Sequence, residues 1–191
     1  MYGSPITIHD KGLLITPPQL MIAGDSAGGN LCLGLLSHIL HPHPSIPTKL
    51  TLSSPLAGAI LISPWCKFHG DPSFKRNDTT DYVADQVGAR WGALFLGSAK
   101  SDNYNEPITT DAQWWQGLEE AVDGIFVWGG KGEALIDSIK PTAKILKEAQ
   151  PNTELVITAG GHETMIMDLT LGYKTKCDGE LAIEAWAAKQ F

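Results

Sequence analysis

Leu20-Met21-Ile22-Ala23-Gly24-Asp25-Ser26-Ala27-Gly28-Gly29-Asn30 is the stretch from which the fold can be read. An apolar run ends at Ala23, a G-x-S-x-G pentad follows, and Leu31, Leu35, Leu36 and Ile39 then recur at helical spacing. Strand, glycine-flanked serine and helix in that order define a nucleophile elbow, a turn that lifts a serine hydroxyl clear of a sheet edge. Such a turn is so tight that Gly24 and Gly28 are expected to be glycines for lack of room, and Gly29 to let the helix lie close to the sheet. Asp25 is expected to support the turn by hydrogen bonding rather than to react.

Outward from the elbow, strands and helices alternate. Leu20 to Ala23 is predicted as a buried strand, and His41-Pro42-His43-Pro44 ends the first helix. Leu56 to Ile62 is a second apolar run, closed by Ser63-Pro64, and suits a strand covered on both faces. Gly124 to Trp128 and Leu155 to Thr158 are a third and a fourth strand. A helix is predicted from Glu133 to Ala149, with a kink or restart at Pro141, and another from about Gly179 to the end. Between the second and third strands, Cys66 to Gly117 is rich in Asp, Asn, Thr and aromatics. It carries one helical pattern, from Asp81 to about Leu96, and its length marks it as a lid or cap, because structureless excursions this long are uncommon unless functional. Residues 1 to 19 carry turn signals around Leu13-Leu14-Ile15 and read as a surface lead-in. The class is α/β with a largely parallel sheet in a single domain, 1–191.

The bulk numbers narrow the function. In 191 residues, 43% are hydrophobic and 18% charged, an ordinary globular composition. A net charge of -7 without any basic cluster argues against a nucleic-acid partner. Cys32, Cys66 and Cys177 match neither a disulfide framework nor a zinc spacing, which favours a reducing, cytoplasmic setting. No stretch is long enough for a transmembrane helix, and Met1 to Pro5 lack the basic and apolar regions of a leader. His9, His38, His41, His43 and His69 have no carboxylate or cysteine at ligand spacing, so no metal is expected. Oligomer formation is left open.

In open α/β sheets, reacting groups collect at the carboxyl ends of strands. Ser26 follows the first strand, Glu133 and Asp137 the third, and His162 the fourth after Gly160-Gly161. A serine hydroxyl needs a base to take its proton, and the base needs a carboxylate to hold its tautomer. The chain order Ser, acid, His supplies all three. Trp91, Phe95, Trp114 and Trp115 are candidates for an acyl pocket, with plain packing as the alternative.

The sequence resembles the hormone-sensitive-lipase-like branch of the α/β-hydrolase fold, especially its fungal esterases. The resemblance rests on Gly24-Asp25-Ser26-Ala27-Gly28-Gly29-Asn30, Ala59 to Trp65, Gly129 to Asp137 and Gly161-His162. It implies a serine carboxylic-ester hydrolase for small-to-medium hydrophobic esters, working without a cofactor, with Ser26, Glu133 and His162 as triad. Glu133 occupies the place of the family's acid and Asp137 its second acidic position, so Asp137 is the alternative acid. Four residues apart on one helix, both could face His162. The Ala27 N–H would serve the oxyanion hole. The family's His-Gly-Gly-Gly loop, which carries most of that hole, does not occur in this sequence. With only 25 residues before Ser26, the chain reads as the C-terminal part of an esterase, from a truncated gene model or shortened isoform, with an exposed sheet edge and a partial helical cap. A serine peptidase of the same fold, and an inactive fragment serving as a binding module, are the alternatives.

Overall fold

A computed structural model describes residues 8–10 and 13–191. Most of the predicted lead-in turns, and Met1 to Pro5, lie outside the described residues. The lead-in is not featureless, since β1 (Ile8–Asp10) and β2 (Leu13–Ile15) pair antiparallel.

The main sheet has four parallel strands in the order β3-β4-β5-β6. They are β3 (Met21–Asp25), β4 (Gly58–Ile62), β5 (Ile125–Gly130) and β6 (Thr153–Thr158). The two central strands explain their own sequences. Every residue of β5 is buried, because alternate side chains enter two different cores. Ile125 and Val127 join Leu61, Leu33, Leu36, Ile139 and Leu146 on one face. Phe126 and Trp128 join Ile60, Met165 and Trp186 on the other. The first face is covered by α1 (Ala27–Leu40) and α5 (Ile136–Ala149), the second by α6 (Thr164–Thr170) and α7 (Asp178–Ala187). Sequence reading missed α6, a short helix that is apolar around most of its circumference and so has no clear period.

Three expectations need correction. β3 is a half-exposed edge strand rather than a buried one: among the described residues it pairs only with β4, and Ala23 and Asp25 are exposed. The expected bare sheet edge is thus present, on the strand that leads into Ser26. Second, α5 begins at Ile136, so Glu133 lies in the turn before it. The helix runs through Pro141 without a restart. Third, the helix expected from Asp81 is α3 (Asp85–Leu96), preceded by the short α2 (Pro72–Arg76) and followed before β5 by the single turn α4 (Leu118–Ala121). Its stripe of large apolar side chains is turned outward, with Trp91, Leu94 and Phe95 all exposed. Gly88 and Gly92 form its buried face, pressed so closely on Phe68 that a Cβ at either would lie within 3 Å of it. A hydrophobicity pattern cannot register a face built from glycine.

Candidate active site

In-register parallel pairing aligns the strand ends: Asp25 stands opposite Ile62, Ile62 opposite Trp128, and Gly130 opposite Thr158. Ser26, Ser63, Glu133 and His162 therefore leave the sheet at one edge.

Ser26 sits at φ 50, ψ -112, a conformation non-glycine residues rarely adopt. Its N–H donates to the Ile62 carbonyl (2.9 Å), and its own carbonyl accepts from the N–H of Asn30 (3.1 Å) and Trp65 (2.9 Å). Strand, helix and the Trp65 loop thus over-determine the turn. The two elbow glycines are not equivalent. A Cβ on Gly24 would fall 2.2 Å from the Gly28 carbonyl carbon, whereas one on Gly28 would meet only Asp25 Oδ1 at 3.7 Å. Gly28 is therefore not required for space, contrary to the sequence reading. Gly29, whose Cβ would stand 2.8 Å from Pro64 Cβ, is. Gly24→Ala should cost at least about 3 kcal/mol of stability, since backbone rather than a movable side chain must give way. Gly28→Ala, inside α1, should be neutral or stabilising by up to about 1 kcal/mol. Urea denaturation midpoints of the two variants check the contrast.

The His162 Nε2 stands 2.9 Å from Ser26 Oγ, and its Nδ1 3.4 Å from Glu133 Oε1. Glu133 is fully buried. Its Oε2 accepts from the Ser63 hydroxyl (2.9 Å) and the Gly130 N–H (2.5 Å), leaving Oε1 for the imidazole. Asp137 is not part of this group. It forms a two-pronged pair with Arg76 (3.0 and 2.6 Å), which holds its carboxyl below the usual range. The expectation that both acids share a helix face fails because Glu133 precedes the helix.

Sequence reading missed four side chains around this group. Asp81 Oδ2 accepts the N–H of both Ala134 and His162, tying the acid turn to the histidine loop. Ser63 donates to Glu133 and accepts the Glu163 N–H at 3.1 Å. Tyr82 packs its ring against His162 at 5.8 Å between centroids. Glu163 Oε1 lies 3.6 Å from His162 Nε2. Its place next to His162 in the chain was the one available signal; Asp81 reads as an ordinary helix start. The loops themselves touch through backbone: a Cβ on Gly130 would lie 2.5 Å from the Gly160 carbonyl oxygen. The glycines at both strand ends thus let the loops carrying Glu133 and His162 approach each other.

Burial works against a charge on His162, but hydrogen bonding to Glu133 and the charges of Glu133, Glu163 and Asp81 outweigh it, and its pKa is raised. Protonated Nε2 cannot accept the Ser26 proton, so that acceptor is lost as pH falls through the raised pKa.

Beside Ser26 lies a cavity of about 180 Å³, lined by Ser26, Ala27, Trp65, Val83, Gly88, Trp91, Leu135 and His162 and mostly apolar. Ala27, at the first position of α1, has one of the N–H groups that a helix start leaves without an intrahelical partner. Of the four candidate pocket aromatics, only Trp91 lines this cavity. Phe95 packs on Phe68, Trp114 stacks on His41, and Trp115 is core, bonded to Thr110. Among the described residues, no three His, Cys, Asp or Glu side chains gather as a metal site, and no helix is long and apolar enough to cross a membrane.

Solved structures share this architecture. An esterase/lipase from an uncultured bacterium superposes with a TM-score of 0.70 at 24% identity, over 92% of this chain and 53% of its own. A hormone-sensitive lipase from a metagenome library gives 0.69 at 19%, over 92% and 55%. A carboxyl esterase from the mycorrhizal fungus Tuber melanosporum gives 0.69 at 13%, over 91% and 54%. At such identities the likeness is one of fold, and the chain spans about half the length of these structures. No curated protein matches the chain by sequence. Residues 7–165 match the family described by the alpha/beta hydrolase fold, and the chain belongs to that family.

Proposed function

We propose that the chain carries the catalytic centre of a serine carboxylic-ester hydrolase. The observation that supports this most is the Ser26 hydroxyl 2.9 Å from an imidazole whose other nitrogen faces a buried carboxylate. Ser26 attacks the ester carbonyl as His162 takes its proton. His162 then delivers that proton to the leaving alcohol, and water releases the acyl group by the same steps with base and acid roles exchanged. Glu133 fixes the tautomer and stabilises the imidazolium. The Ala27 N–H donates to the developing oxyanion. The apolar cavity against Trp65, Val83 and Trp91 takes the acyl chain, which fits small-to-medium hydrophobic esters. The 66–117 segment supplies Val83, Gly88 and Trp91 to that cavity and acts as its lid.

A fluorophosphonate probe tests the reading. It should label Ser26 covalently, and p-nitrophenyl esters should be cleaved in preference to peptide amides. Cleavage of amides at comparable rates would make the chain a peptidase instead. A second reading, a hydrolase scaffold without turnover, is favoured by the outer edge of β3, unpaired among the described residues, and by Ala27 as the single assigned oxyanion donor. Loss of one donor costs about 2.7 to 4 kcal/mol in such sites. A folded chain that never labels would establish that second reading.

A further inference from the structure

We propose that Glu163 is a positioning residue that holds the protonated His162 ring from the Ser26 side and so withdraws it from the nucleophile as pH falls. The proposal rests on the reading of Ser26 and His162 as nucleophile and base. The ring stands between two carboxylates. Glu133 occupies its Nδ1 side, and Glu163 Oε1 approaches Nε2 at 3.6 Å, the nitrogen that also faces Ser26 Oγ at 2.9 Å.

The placement of Glu163 is constrained on every side. Its backbone is in the left-handed region (φ 52), and its N–H donates to the same Ser63 hydroxyl that donates to Glu133. The Tyr82 hydroxyl donates to Oε2 at 3.1 Å, which leaves Oε1 toward the imidazole. The negative charge of Asp25, the residue before Ser26 on β3, works against ionisation of the Glu163 carboxyl. The other titratable groups facing His162 are Glu133 behind Nδ1 and Asp81 beneath its backbone N–H.

Two consequences follow from charge and geometry. While the imidazole is neutral, Nε2 accepts from Ser26 and Glu163 is a bystander. Once Nε2 carries a proton, Glu163 Oε1 is an acceptor in competition with Ser26 Oγ, and its charge favours the imidazolium. The protonated, inactive ring is therefore held in place as pH falls. Removing the charge destabilises the imidazolium, moves its titration to lower pH, and lets the base remain neutral in mildly acidic solution. Glu163 itself holds its proton more tightly than an ordinary glutamate, through burial and Asp25, against the opposing His162 charge and Tyr82 hydrogen bond.

The test uses the full chain with isotope-labelled histidine, following the His162 ring by NMR across pH in the wild type, Glu163→Gln and Tyr82→Phe. The pH profile of fluorophosphonate labelling is measured alongside. In Glu163→Gln the His162 midpoint should move to lower pH. At pH 6 its labelling rate, relative to its own plateau, should exceed the wild type's several-fold. Tyr82→Phe, an exposed change that frees the carboxylate, should move both readouts in the same direction by less, and Glu163→Asp should restore part of the wild-type profile. An unchanged His162 midpoint in folded Glu163→Gln overturns the proposal. If that variant does not fold, an unchanged midpoint in Tyr82→Phe overturns it. Should no chain label at any pH, the hydrolase reading fails, while the NMR midpoints still decide the role of Glu163.

Discussion

His162→Ala is expected to lower ester hydrolysis by about a million-fold in kcat and to abolish fluorophosphonate labelling of Ser26. The magnitude follows from the single contact that gives the hydroxyl any nucleophilic character: without an acceptor at Nε2, Ser26 keeps its proton at neutral pH. Since members of such a group act as a unit, adding Ser26→Ala to His162→Ala should cost almost nothing further. The fold should survive, because His162 lies in a loop between β6 and α6 and contributes to neither apolar core. Steady-state kinetics with a chromogenic ester, alongside circular dichroism, separates loss of chemistry from loss of structure. Residual activity within a hundred-fold of wild type would remove His162 from the mechanism.

The second large effect distinguishes the two candidate acids. Glu133→Gln should lower kcat by about ten-thousand-fold, the cost of a wrongly held imidazole tautomer in a site of this design. An amide could still accept from Ser63 and Gly130, yet it would carry no charge toward the imidazolium. Asp137→Asn should leave kcat within a few-fold of wild type, because its partner is the exposed Arg76 guanidinium. The reverse order would make Asp137 the acid and would require the turn before α5 to rearrange.

Much of this arrangement is written locally and could be read from the chain. A glycine-flanked serine between an apolar run and a helical pattern defines Ser26. A histidine after two glycines at a strand end defines His162, because parallel strands leave their carboxyl ends on one edge. The choice of Glu133 over Asp137 came from resemblance alone. The structural reason for it, the Gly130 N–H and Ser63 hydroxyl converging on one carboxylate, depends on β4 and β5 lying side by side. Asp81 was read as part of a helix because its real partners, the N–H groups of Ala134 and His162, are 53 and 81 residues away. The outward orientation of Trp91 and Phe95 on α3 was not legible for a different reason. That helix packs by close backbone approach at Gly88 and Gly92, which leaves no apolar signature.

The contact between Ser26 and His162 spans 136 residues of chain. Loop closure over that length gives no return until β4, β5 and β6 have docked in order, so the reactive pair is among the last features the polypeptide can assemble. On a ribosome, the serine emerges 136 residues ahead of its histidine partner. A nascent chain would carry an inert hydroxyl over that stretch of synthesis, until β6 and the loop behind it have left the exit tunnel.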